Sequence, residues 1–296
     1  MILITDPEFS LFQKLINEQA GIHLTPAKKS LLEARLGKRV FELGLDSFSS
    51  YYRYLQDHSE EELPEMLDRV STNETHFFRD RRQFDFLSRL VVYDWTAQGN
   101  AGLRPRHIRV WSAGCSTGEE AYSLAMVLWQ FFPPAAGWEI EILATDLSNR
   151  ALHRARQAIW PIDKAKDVPE EYLKRFMLRG RGPQAGKMKA GAEIRSVIRF
   201  ERLNLNDKIY PITSLFDIIL CRNVLIYFDE TRRARIADRL LEHLAPGGFF
   251  FVGHAERLSG LTHKILNIFP SIYVRVGRGD SNFEGAVFRR EASGVR

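Results

Sequence analysis

Hydrophobic positions change their period once along this chain. Up to about residue 70 they recur every three or four positions in stretches bounded by caps and glycines, which predicts short amphipathic helices over 7–18, 26–43, 48–57 and 61–70. In the second of these, Pro26 suits the first turn and Leu32, Leu36 and Val40 share one face. Gly21 and Gly44 punctuate the set and no strand pattern interrupts it, so a compact all-helical domain is expected over 1–76, followed by an α/β domain over 77–296. A helix over 80–95 bridges the two, and 99–105 reads as a loop. From Ile108 onward short apolar runs alternate with helical segments: strands at 108–111, 138–143, 197–200, 216–220 and 249–252, helices from Gly118, at 149–157 and at 230–244. A further helix ends near Met177, and Pro246-Gly247-Gly248 reads as a turn. The glycine- and lysine-bearing stretch 180–191 breaks this rhythm and reads as a small hairpin, an irregular loop being the alternative.

The segment IRVWSAGCSTGEEAYSLAM, beginning at Ile108, carries the clearest chemistry, because a buried strand turns through glycines directly into a helix. Gly114 and Gly118 allow a tight turn and close approach of a ligand, and Thr117 or Gly118 caps the helix. A dinucleotide site leaves that helix start bare for pyrophosphate; here Glu119 and Glu120 stand at it. Two anions suit a cationic ligand without phosphate, and S-adenosylmethionine, with a sulfonium and an ammonium, fits by charge. Alternatively the glutamates only complement the helix dipole. The next strand ends in ATD, which puts Asp146 where a doubly wound sheet holds an acid for ribose hydroxyls, or where an N-cap for the helix over 149–157 would sit.

Composition restricts the setting. The 296 residues, 45% of them hydrophobic, supply ample core for one large or two modest domains. No apolar run approaches a membrane span and MILITDPEF lacks a basic leader, so a cytoplasmic protein with its two cysteines, Cys115 and Cys221, reduced is expected. No metal is expected: the eight histidines show no paired ligand spacing, and His254 with Glu256 reads as structural. A net charge of +5 does not indicate a polyanion partner. Arg35, Lys38 and Arg39 nevertheless make one positive ridge on the second helix, which is either a solvated face or a docking surface for an acidic partner.

Two more clusters stand where ligands bind. STNETHFFRD closes the helical region with Asn73, Thr75, His76 and Arg79, and CRNVLIYFD follows an apolar strand with Arg222, Asn223 and Tyr227. Tyr227 reads as a pocket residue or as an aromatic of the core. Together with WSAGCSTGEEAYS, ATDLS, LNLND and PGGFFFVGHAE, in this order, these motifs resemble the chemotaxis receptor methyltransferases, the CheR family, from the N-terminal helices to about Val276. The resemblance implies a Rossmann-like S-adenosylmethionine-dependent methyltransferase sheet with an N-terminal all-helical domain and a small antiparallel β insert at about 175–200. It implies a protein-glutamate O-methyltransferase that methylates the cytoplasmic helical bundle of chemoreceptors for sensory adaptation, releasing S-adenosylhomocysteine. Carried over by motif, Asn73, Thr75 and Arg79 contact the cofactor, Glu120 its amino-acid end, Asp146 its ribose, and Asn204 with Leu205 its adenine. Gly114, Arg222 and Asn223 complete the pocket, and Arg79 and Tyr227 position the substrate. The basic helix with Arg35, Lys38 and Arg39 becomes the receptor-docking element, and the insert matches a subdomain that in some members tethers a receptor's C-terminal peptide. A monomer without nucleic-acid partner or membrane insertion is expected. Two alternatives are a nucleic-acid methyltransferase, which lacks support because CRNV stands where an Asn-Pro-Pro-Tyr-type base pocket would be, and a non-catalytic binding module built on the same fold.

Overall fold

The computed structural model describes residues 2–256, 258 and 264–276. The tail after Gly277, whose sequence lacks the apolar pattern of an appended repeat domain, lies outside the described residues.

Four helices open the chain: α1 (Asp6–Ala20), α2 (Lys29–Glu42) after a short 3-10 turn, α3 (Phe48–Asp57) and α4 (Ser59–Val70). Local chemistry sets their ends. Thr5 and Glu8 form a reciprocal capping box on α1, and Gly21 ends that helix in the left-handed conformation at φ 72°. Ser47 caps α3 by accepting from Ser50 N. Phe12, Ile16, Leu32, Leu36, Val40, Phe48, Tyr51 and Met66 close the domain around its own core.

The bridging helix is longer than its sequence pattern predicts. It runs as α5 (Arg81–Phe86), a π turn at Leu87–Val91 and α6 (Val92–Asn100), so only the end of 99–105 is loop. Then come β1 (His107–Ala113), α7 (Glu119–Phe131), β2 (Glu139–Asp146) and α8 (Asn149–Gln157). The insert follows: β3 (Ile159–Pro161), α9 (Glu170–Phe176), β4 (Met177–Arg179) and β5 (Lys187–Ala190). The chain returns through α10 (Ala192–Ser196), β6 (Ile198–Arg202), β7 (Phe216–Cys221), α11 (Glu230–Glu242), β8 (Leu244–Val252) and the hairpin β9 (Ile265–Phe269) and β10 (Ile272–Arg275).

The main sheet has seven strands in the order β6-β2-β1-β7-β8-β10-β9. The first five are parallel and the final hairpin, which the periodicity does not reveal, adds two antiparallel edge strands. The Pro246-Gly247-Gly248 turn is absorbed into β8, where the pairing with β7 shifts register. Strand order reverses at β1, which makes the carboxyl ends of β1 and β7 the topological switch point. Two separate cores cover the faces: Ile108, Val110, Leu124 and Leu128 belong to one, Trp111, Ile219, Leu240 and Phe250 to the other. The predicted hairpin is present as β4 and β5, and a third strand joins it to give the antiparallel sheet β3-β5-β4, because Ile159–Pro161 pairs with Lys187–Lys189 across the intervening helix.

Candidate functional site

One cavity of about 340 Å³ lies at the switch point, between the carboxyl edge of the sheet and the helical domain. Its size falls in the range of small-molecule sites. Its wall contains Asn73, Thr75, Arg79, Gly114, Glu120, Asp146, Asn204, Leu205, Arg222, Asn223 and Tyr227, so residues spread over 150 positions converge on it. The helical domain contributes Ile22, Lys28, Leu31 and Arg35.

The glycine turn is built by backbone geometry. Gly114 N and Cys115 N donate to Thr145 O at 2.7 and 2.9 Å, which locks the turn to the end of β2. Gly114 has φ 86°, and a Cβ there would stand 2.4 Å from Val224 Cγ2, so the position is both conformationally and sterically restricted to glycine. Asp146 ties the turn to the next helix: its Oδ2 accepts from Ser116 N at 2.8 Å and its Oδ1 from Ser148 N at 2.9 Å. Ser148, not Asp146, caps α8. Each Asp146 oxygen retains a second lone pair for hydroxyl donors. Burial pushes the Asp146 carboxyl up, against the Ser148 and Ser116 amides that stabilise its anion.

The two adjacent glutamates part company. Glu120 lies in the cavity wall, accepting from Ser112 Oγ at 2.7 Å and Arg222 Nη1 at 3.1 Å, and burial raises its pKa while Arg222 and Ser112 oppose the rise. Glu119 is fully buried and bonds Thr117 Oγ1 and Lys164 of the insert, so only one of the expected pair serves the cavity. Successive helix residues point about 100° apart, which separates them. Arg222 is itself a strut: nearly inaccessible, it binds Glu120, Asp80 Oδ2 at 2.8 Å and the Arg79 carbonyl. Asn204, also in the cavity wall, likewise uses its amide to reach Gln19 O of α1 at 2.7 Å.

Four non-glycine residues with left-handed backbone, Phe78, Asp80, Ser116 and Asn223, cluster here, and such conformations concentrate where surrounding contacts enforce them. Buried Ser116 Oγ and Asn223 Oδ1 have no hydrogen-bond partner among the described residues, and both belong to cavity-lining residues. A glycine cradle, two buried acids and unpartnered polar atoms fit a polar, cationic ligand such as S-adenosylmethionine.

Residues 73–274 match the model of the CheR methyltransferase S-adenosylmethionine-binding domain, and residues 7–71 that of the CheR all-alpha domain. The chain belongs to the CheR methyltransferase family. It is 35% identical to the chemotaxis protein methyltransferase of Borreliella burgdorferi over 92% of this chain and 95% of that one. With chemotaxis protein methyltransferase 2 of Pseudomonas aeruginosa the identity is 34% over 91% and 93%. With the chemotaxis protein methyltransferase of Escherichia coli it is 34% over 89% and 88%. The matched models join between residues 71 and 73, inside the cavity-lining segment.

The expected docking ridge is not one surface. Arg39 forms a two-point ion pair with buried Glu62, at 2.9 and 2.6 Å, and Glu62 also accepts from Tyr51 Oη at 2.8 Å. The ion pair ties Arg39 to the helical domain while its side chain stays 23% exposed beside Lys38. Arg35 turns to the cavity, donating to the Val70 carbonyl and to Thr72 Oγ1 at 2.9 Å. Of the three, only Lys38 is exposed and not half-buried. Sequence reasoning overlooked Lys28, whose ammonium lies 5.7 Å from the Tyr227 ring centre, and Asp80, Ser112 and Ser116, which shape the acid pair. Asp80 was visible as the last letter of STNETHFFRD; nothing in the sequence singled out the others.

Among the described residues, His107, Glu139 and Glu141 place ligand atoms close together at the opposite end of the sheet. Arg109 already pairs with Glu141 at 3.1 Å there.

Proposed function

We propose that this protein transfers the methyl group of S-adenosylmethionine to glutamate side chains in the cytoplasmic helical bundle of chemoreceptors, forming glutamate methyl esters for sensory adaptation. One observation carries the reading: a single cavity is lined by the acids Glu120 and Asp146 together with Lys28, Arg79 and Tyr227. The acids suit the cationic cofactor, and the cations suit a carboxylate substrate.

The bound cofactor supplies an electrophilic methyl group on a sulfonium, which a carboxylate oxygen takes as the S–C bond breaks and the sulfur keeps the electron pair. A glutamate is already ionised at neutral pH, so no general base is required of the protein. In this reading the protein's residues bind and orient. Glu120 faces the cofactor's ammonium, Asp146 accepts from the ribose hydroxyls, and Asn204 with Leu205 borders the adenine. Asn73, Thr75, Gly114, Arg222 and Asn223 complete the wall. Arg79 anchors a carboxylate through its planar fork and Tyr227 sets the approach of the receptor glutamate. Receptor docking falls to Lys38, the partly exposed Arg39 and, at the cavity wall, Arg35, with a receptor C-terminal peptide seated on the small β3-β5-β4 sheet. The protein acts as a cytoplasmic monomer.

Transfer of labelled methyl from S-adenosylmethionine, offered separately to receptor-rich membranes, tRNA, DNA and buffer, tests this. Label should enter the receptors only and be released by mild alkali, as methyl esters are. Label on nucleic acid, or cofactor binding without transfer to receptors, would overturn it.

A further inference from the structure

Glu256 is 2% exposed and lies just behind the cavity wall, in the loop that follows β8. Its Oε2 accepts from Gly253 N at 2.6 Å and Asn223 N at 2.9 Å, and its Oε1 from Ile226 N at 3.2 Å. One carboxylate thus gathers three backbone amides from the loops after two neighbouring strands, β7 and β8. The loop it grips is the one that needs holding. Asn223 has φ 60°, a conformation that Asn tolerates better than most residues but that still needs external support. Asn223 lines the cavity, and its buried Oδ1 has no partner among the described residues. Three residues on from Asn223 stands Ile226, whose amide is the carboxylate's third contact and whose successor is Tyr227. Packing leaves no slack: a Cβ on Gly253 would lie 2.8 Å from Glu256 Oε2 and 2.9 Å from both Asn223 N and Asn223 Nδ2.

We infer that Glu256 is a positioning residue: by binding the amides of Asn223 and Ile226 it presents the Asn223 carboxamide to the cofactor and sets the turn that carries Tyr227. It touches neither substrate nor cofactor. The inference rests on the cofactor occupying this cavity, and not on the identity of the acceptor.

The test is a thermodynamic cycle on affinity for S-adenosylhomocysteine, measured by calorimetry on the full chain. Glu256→Asp keeps the charge but is one methylene too short to span Gly253 and Ile226, and should weaken binding about tenfold. Glu256→Gln keeps an oxygen for the Asn223 and Gly253 amides and should stay within about threefold of the parent. Gly253→Ala disturbs the same contacts from the opposite side, and stands in for Glu256→Asp should that variant not fold; about tenfold is again expected. In an Asn223→Ala background both penalties should shrink below about threefold, because the group being positioned is gone. Undiminished affinity in Glu256→Asp and Gly253→Ala, or penalties equally large without the Asn223 side chain, would overturn the inference. No receptor enters the measurement, so failure of receptor methylation and failure of this cycle are separate outcomes.

Discussion

Glu120 and Asp146 are acids whose surroundings shift them toward the protonated form. Burial raises both pKa values, outweighing the Arg222 and Ser112 contacts of Glu120 and the amide contacts of Asp146. The sign has two consequences. In the ligand-free protein these carboxyls favour folding while protonated, and that contribution is lost as pH rises through their raised values. A bound cation prefers the ionised forms, so cofactor binding should release protons and tighten as pH rises through the titration of these carboxyls. Calorimetry in two buffers of different ionisation enthalpy, from roughly pH 4 to pH 7, reads both quantities. Glu120→Gln should remove part of the proton release, and an affinity independent of pH would contradict the assignment. The same scale separates neighbours that a sequence cannot. Glu119 and Glu120 differ by one position, yet one anchors Lys164 of the insert and the other lines the cavity and binds Arg222.

Among the elements, the β1–α7 turn brings to the cavity wall a backbone position, Gly114, with no room for a side chain. Gly114→Ala brings together two costs, a left-handed backbone for a residue with a Cβ and a 2.4 Å approach to Val224. About 2–4 kcal/mol of stability should be lost and cofactor affinity should fall at least tenfold. Gly44→Ala provides the comparison: its φ is 67° but nothing lies within 4 Å of an added Cβ, so it should cost about 1–2 kcal/mol and leave affinity unchanged. Urea unfolding and calorimetry on the two variants decide it, and equal effects on affinity would mean that the turn does not shape the site. The β7 and β8 ends make the complementary point. Their loops are joined by a carboxylate, Glu256, that binds three amides, so the rim packed against the glycine turn is organised by a side chain where the turn itself is organised by backbone.

At the scale of the molecule, the cavity is a joint between a helical domain with its own core and a sheet domain with two. His23 N donates to Tyr227 O at 2.8 Å, Ile22 pairs with Phe228 as an isolated bridge, and Asp68 accepts from Arg150 N at 3.2 Å, so the walls from both domains are fixed to each other. A ligand at such a joint should stabilise both halves together. At a concentration a hundred times its Kd it should add about 2.7 kcal/mol to a single unfolding transition. Differential scanning calorimetry that showed the helical domain melting separately, at a midpoint unmoved by the cofactor, would show that the joint is not shared. Much of this arrangement was legible in the chain itself. The switch from helical to alternating period located the two domains, the Ser-Ala-Gly-Cys turn and Asp146 located the ligand end of the sheet, and the ordered motifs brought the wall residues to one edge, because these features are local: a period, a turn, a strand terminus. Only the tertiary structure decided what depends on partners distant in sequence. It turned Arg35 to the cavity, paired Arg39 with buried Glu62 and left Lys38 to solvent, and added Ile159–Pro161 as a third strand to the β4–β5 hairpin. It also gave Glu256 its three amides, since a side chain's role is fixed by the groups that packing delivers to it, and no spacing along the chain encodes them.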